Sequence, residues 1–178
     1  LDKPQDKLWK FVSEYINSGV GIAIPTYCLD GQISYNLSTS KSSVGGFSQH
    51  ALNLPGGIRT FCPIHNHLFF KEEDIVPSSL DFYKSFGENT DFDFLLNKNY
   101  KILLFAVDFA QACTYIHNLE YLANVPYRKM IKFNRQIITN QYDKGMQIEF
   151  SYYARKDDSI NTNFNNVIPF LENCSTFR

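Results

Sequence analysis

The chain has 178 residues, 44% of them hydrophobic and 20% charged, with a formal net charge of -1. A chain of this length and composition is expected to fold as one soluble globular domain around a sizeable core. Its near-neutral charge excludes a strongly basic nucleic-acid binder, and no apolar run reaches the roughly 18 residues of a membrane-spanning helix. The 7 Pro and 9 Gly are ordinary counts, and an aromatic content of 16% predicts a ring-rich core. Cys28, Cys62, Cys113 and Cys174 lie far apart and form no C-x-x-C pair, so neither a four-thiolate zinc site nor a disulfide scaffold is expected. The sequence opens at Leu1, not Met, and shows no charged stretch followed by an apolar one near its start. No signal peptide is therefore visible, and a cytoplasmic or a secreted setting fits equally.

From Lys7 to Asn17, Leu8, Phe11, Val12, Tyr15 and Ile16 recur at helical spacing, which predicts an amphipathic helix stopped at Asn17-Ser18-Gly19. Val20 to Cys28 is largely apolar and ends at Leu29-Asp30-Gly31. Gln32 to Leu37 then alternates, so the two segments read as a β-hairpin. Ser38 to Gln49 reads as an exposed loop and Pro55-Gly56-Gly57 as a turn, with a third strand from Ile58 to Ile64. An acidic loop from Leu68 to Pro77 leads to Pro77-Ser78-Ser79, which opens a helix from about Leu80 to Phe86. Tyr100 to Val107 is the strongest strand signal, with Ala110 to His117 as its hairpin partner. Asn118 to Asn140 has helical spacing broken at Pro126, and Met146 to Ala154 reads as the last strand, ahead of an Asn-rich stretch and a short apolar tail. The order predicts an α+β or mixed α/β fold with a largely consecutive sheet, one domain and no internal repeat.

One segment carries chemistry: His65-Asn66-His67, followed by Pro77-Ser78-Ser79-Leu80-Asp81. Residues i and i+2 of a strand share a face, so His65 and His67 can present two imidazoles together. Neutral imidazoles bind zinc at about 2.0–2.1 Å, and a carboxylate completes a site with one open position. Water held there falls to a pKa of about 7 and supplies hydroxide. Asp81 is the favoured third ligand, because Ser78 has the chemistry of an N-cap and would place Asp81 in the first helical turn. Glu72, Glu73 and Asp74 are rivals that read more simply as a solvated acidic edge.

The pattern H-x-H followed by S-x-x-D resembles the JAMM signature of the JAB/MPN zinc metalloproteases, over residues 8–117, with the early GVGIAIP hairpin also similar. The resemblance implies a central β-sheet flanked by helices, with residues 118–178 an unrecognised extension. It implies zinc held by His65, His67 and Asp81, Ser78 stabilising an oxyanion, and Glu14, the one glutamate before His65, as general base. Two departures stand beside it: a longer spacer between His67 and Asp81 than the family's, and Glu14 on the flank of its helix. The activity implied is hydrolysis of a peptide or isopeptide bond in a protein substrate, ubiquitin-like proteins among them. The alternative it leaves is a non-catalytic MPN-like scaffold with a structural or vestigial metal.

Simpler readings stand beside these. An H-x-H pair alone is more often structural, and His50 and His117 read as structural or exposed, His117 at a strand end. A Cys62–His65 thiol site is disfavoured because residues three apart on a strand face opposite sides; a thiol hydrolase using Cys62 or Cys113 is the third hypothesis. The basic run from Tyr127 to Arg135 reads as a helix with Met130, Phe133 and Ile137 inward, not as a nucleic-acid contact.

Overall fold

The computed structural model describes residues 4–105, 107–109, 113–157, 159–160 and 162–169. The expected first helix is present as α1 (Pro4–Asn17). It packs Trp9, Val12 and Ile16 against α2 (Gly46–Ala51), where Asp6 lies 3.5 Å from His50. Two small sheets follow. The first holds β1 (Ile22–Pro25), β4 (His67–Phe70) and β3 (Ile58–Arg59) in the order β1-β4-β3, all antiparallel. The second holds β2 (Ser34–Asn36), β5 (Arg128–Ile138) and β6 (Met146–Arg155); β2 runs parallel to β5, and β5 and β6 form a long hairpin. With α3 (Asp91–Asn97) and α4 (Tyr115–Leu122), the architecture is mixed α+β.

The expected hairpin between the first two strands does not form. Ile24 pairs with Leu68 and Tyr35 with Ile137, so the chain crosses from one sheet to the other at Asp30-Gly31. A turn signal is local, whereas Leu68, Phe69 and Phe70 are apolar and buried on both faces, and they give β1 a partner that removes more surface from water. The third strand is shorter than expected, because Pro63 has no N–H to donate and the chain turns through residues 61–65 before β4 begins. The helix expected at Leu80–Phe86 is absent. Pro77–Ser79 forms one 3-10 turn, Leu80 is extended at ψ 152, and the next helix starts at Asp91.

Lys101–Phe105, read as the strongest strand, joins no ladder; Ile102, Leu103 and Phe105 are 56%, 71% and 55% exposed. Of its expected hairpin partner, residues 110–112 lie outside the described residues, and Tyr115 onward is helical. The predicted helix after Pro126 is the strand β5. Ile131, Phe133, Arg135 and Ile137 turn one face inward at period two, while Met130, assigned inward by the helical reading, is 45% exposed.

The core is built from rings and branched chains in clusters: Tyr35, Ile137, Ile148 and Phe150 of the second sheet close over Cys62 and Ile64, and Ile24, Leu68 and Phe70 of the first sheet pack against Ile16 and Ala51. Arg59 ties the halves together. Its guanidinium donates to Ser40 O (2.7 Å), Thr26 O (2.9 Å) and Asn66 Oδ1 (3.0 Å) and lies 5.0 Å over the Tyr35 ring. A buried cation is tolerable only with its donors satisfied in this way.

Candidate active site

The two histidines of the H-x-H segment are core residues, each 3% exposed. His67 Nδ1 lies 3.0 Å from Asp91 Oδ2, and its Nε2 lies 3.2 Å from the Tyr27 hydroxyl, so both ring nitrogens are engaged within the protein. Asp91 also accepts the Thr60 hydroxyl and the His67 N–H. His65 Nδ1 bonds Ser85 Oγ at 2.8 Å, and its ring stacks on Tyr152 and tilts against Phe86. Burial, reinforced by the neighbouring His117 and His67, pushes the His65 imidazole down to about 3, so it is neutral.

Asp81 does not join them. Because the chain is extended after the 3-10 turn, its carboxylate accepts the Tyr83 N–H at 3.0 Å and pairs with Lys84 at 3.1 Å. Ser78 is exposed on the 3-10 turn and lines a shallow cavity of about 350 Å³ with Phe61 and Pro77. Glu14 is exposed on α1. Among the described residues no group of three His, Cys, Asp or Glu side chains is placed to hold a metal ion. Cys62 and Cys113 are buried, and burial first of all pushes both thiols up, which removes the thiolate a cysteine nucleophile needs.

A different histidine meets the geometric requirement for acid–base work. On α4, His117 and Glu120 are three residues apart and therefore neighbours on one face. His117 Nδ1 lies 2.6 Å from Glu120 Oε2, with His117 26% exposed and Glu120 only 5%. Tyr127 Oη donates to Glu120 Oε1 at 2.7 Å, and Arg128 Nη2 reaches Oε2 at 2.8 Å. Arg128 is held by Tyr153 O at 3.1 Å, so the end of the β5–β6 hairpin anchors the carboxylate from below. Arg128 Nη2 also lies 2.9 Å from His117 Nδ1. Arginine only donates, so the consistent assignment sends both the His117 Nδ1–H and the Arg128 N–H to Glu120. Nε2 then carries the lone pair, and among the described residues it has no hydrogen-bond partner. Rings of Phe86 (6.4 Å) and Phe164 (5.9 Å) flank the imidazole.

The electrostatics match this tautomer. Burial lowers the His117 pKa, Arg128 and Arg155 add repulsion, and the bond to Glu120 opposes both; the net direction is down, which leaves a neutral base near pH 7. Burial alone would raise Glu120, but the bonds from Tyr127 and His117 and the charge of Arg128 outweigh it and hold the group ionised. Reading His117 as a structural or exposed strand end missed this pair. The signal that could have found it is the His-x-x-Glu spacing, which has meaning only once Tyr115–Leu122 is known to be helical.

A family model described as aminoglycoside 3-N-acetyltransferase matches residues 13–178. The chain belongs to this acetyltransferase family. The match overturns the JAB/MPN resemblance, and with it the zinc peptidase reading, the non-catalytic MPN module, and a protein or ubiquitin-like substrate. It overturns zinc as cofactor too, in agreement with an Asp81 that is occupied elsewhere. No curated protein matches the chain. Among solved structures, the YokD protein from Bacillus subtilis gives a TM-score of 0.64 at 16% identity, over 85% of this chain and 67% of that one. AAC-IIIb in a binary complex with CoASH gives 0.66 at 13% identity, over 85% and 65%. Sisomicin-bound AAC-VIa gives 0.66 at 12% identity, over 86% and 64%. These likenesses concern the fold, and the chain spans about two thirds of each structure's length. The mixed α+β architecture is thus that of the acetyltransferase family, with small sheets and flanking helices.

Proposed function

We propose that this chain carries the acid–base apparatus of an aminoglycoside N-acetyltransferase, with His117 as general base and Glu120 as its orienting carboxylate. The observation that carries the reading is the His117 Nδ1–Glu120 Oε2 bond of 2.6 Å, on a side chain 26% exposed whose Nε2 has no hydrogen-bond partner among the described residues. The family match over residues 13–178 supports acetyl transfer, and the family neighbour AAC-VIa is a structure with sisomicin bound.

Acetyl-CoA, when bound, supplies the acyl thioester. His117 Nε2 takes the proton from the acceptor amine as its nitrogen forms the new bond to the acyl carbon. Glu120 would stabilise the imidazolium so formed, and His117 would hold the proton for release with the free thiol, so that no proton is gained or lost overall. Tyr127 and Arg128 keep Glu120 charged through the cycle. The cavities of about 410 and 350 Å³ at Asn36–Thr39 and Thr139–Asn140 contain neither His117 nor any Lys or Arg. Neither of these two cavities therefore offers a cation to the polyphosphate of CoA.

The test is acetyl transfer from acetyl-CoA to sisomicin, followed by release of the free thiol. His117→Asn should lower kcat by about 10²–10⁴-fold, the span of a lost general base. Glu120→Gln should lower it comparably, because an amide no longer selects the tautomer. Retention of parental kcat by His117→Asn would refute the reading.

A further inference from the structure

Asn118 follows the candidate base directly and is 1% exposed. Its Oδ1 accepts the Gly87 N–H at 3.1 Å, a bond between α4 and a loop distant in sequence. Gly87 sits at φ +98, and a Cβ there would meet Tyr121 Cε1 at 2.5 Å, so the loop backbone lies flat on the helix. The other polar group of Gly87 is taken as well: its carbonyl accepts the Thr90 hydroxyl at 2.7 Å. On either side of Gly87 the loop is fixed, Ser85 to the His65 ring at 2.8 Å and Phe86 against the His117 ring at 6.4 Å. The loop is therefore held where it touches α4, by ring contacts to His117 and Tyr121 and by the hydrogen bond to Asn118.

Consecutive helical residues are about 100° apart, so a bond at Asn118 restrains the rotation of α4 about its own axis. A side-chain tip lies roughly 5–6 Å from that axis, so a 10° rotation would carry His117 Nε2 by about 1 Å. A displacement of that size costs about 10²-fold in rate. We propose that Asn118 is a positioning residue, its carboxamide bond to Gly87 setting the aim of His117 Nε2. The inference rests on the reading of His117 as general base.

Two substitutions and one spectrum test it. Asn118→Leu keeps the volume and removes the acceptor, whereas Asn118→Asp keeps an oxygen for the Gly87 N–H. Asn118→Leu should lower kcat by about 10²-fold with the KM for acetyl-CoA within about twofold, and Asn118→Asp should recover at least about tenfold of that loss. Proton–nitrogen spectra of the imidazoles should show the His117 resonances displaced in Asn118→Leu and restored in Asn118→Asp. A folded Asn118→Leu protein with parental kcat and unmoved His117 resonances overturns the proposal, as does an equal loss in both variants. If Asn118→Leu does not fold, Thr90→Val, which removes the hydroxyl bond to the Gly87 carbonyl and keeps the backbone one, is read by the same two measurements. An active His117→Asn protein would sink the base assignment alone, because the imidazole spectra still report whether the Gly87 bond orients the ring.

Discussion

Acid should weaken this fold through His65 well before its carboxylates titrate. The side chain is 3% exposed, enclosed by Tyr27, Phe86, Phe92 and Tyr152, and burial pushes its pKa down to about 3. In the unfolded chain a histidine titrates near 6.5. Between those values the unfolded state holds a proton that the folded state lacks, so stability falls as pH falls, by about 1.4 kcal/mol per pH unit. From pH 7 to pH 5 the integrated loss from this one group is about 2 kcal/mol. His117, also lowered, acts in the same direction. Glu120, lowered too, contributes stability that is lost as pH falls from its unfolded value of about 4.3 downward, and so stays nearly constant across this window. The assay is urea unfolding at pH 7, 6 and 5 for the parent and for His65→Gln, whose amide can still meet Ser85 Oγ. The variant should start less stable, yet its loss between pH 7 and 5 should be smaller by about 2 kcal/mol. An identical pH dependence in the two proteins would refute the reasoning.

Phe150 is fully buried among Tyr35, Cys62, Ile64, Ile137 and Ile148, and Phe150→Ala should cost about 3–5 kcal/mol in urea unfolding, with near-parental stability contradicting its place in that core. Gly87→Ala must accept both φ +98 and a Cβ 2.5 Å from the Tyr121 ring, and should cost about 2–4 kcal/mol. Zinc addition or chelation should leave the melting temperature unchanged, because Asp81 is engaged by Lys84; a zinc-dependent rise would return Asp81 to His65 and His67.

Elements whose hydrophobic period was unambiguous were legible. Leu8, Val12 and Ile16 mark α1, and the alternation of Ile148, Phe150 and Tyr152 marks β6. Elements decided by distant partners were not. Asp30-Gly31 is a sound turn signal, yet β1 and β2 go to different sheets because β4 and β5 offer them more buried surface. In the run from Arg128 to Ile138, Met130, Phe133 and Ile137 fit a helix while Ile131, Phe133, Arg135 and Ile137 fit a strand. Pairing with Met146–Arg155 selects the strand. Lys101–Phe105 has the composition of a strand without a ladder, a reminder that β-propensity describes fitness for a pleated neighbour and does not supply one.

The site residues differ from the sequence expectation for a related reason. His65 and His67 have the spacing of two ligands on one strand face, but His65 lies in the bend before β4 and only His67 is on the strand; both rings turn into the core, where Ser85 and Asp91 satisfy them. His117 and Glu120 are three apart. The sequence pattern ends a strand at His117 and starts a helical segment at Asn118, which puts the two residues on different elements; α4 holds both, and its period brings Nδ1 and Oε2 to 2.6 Å. The interval is the same either way, and what differs is where the helix begins. A spacing therefore carries no chemistry until the element it lies on is known. Here the element is set by what α4 packs against: the Gly87 loop that bonds Asn118, and the hairpin end that delivers Tyr127 and Arg128 to Glu120.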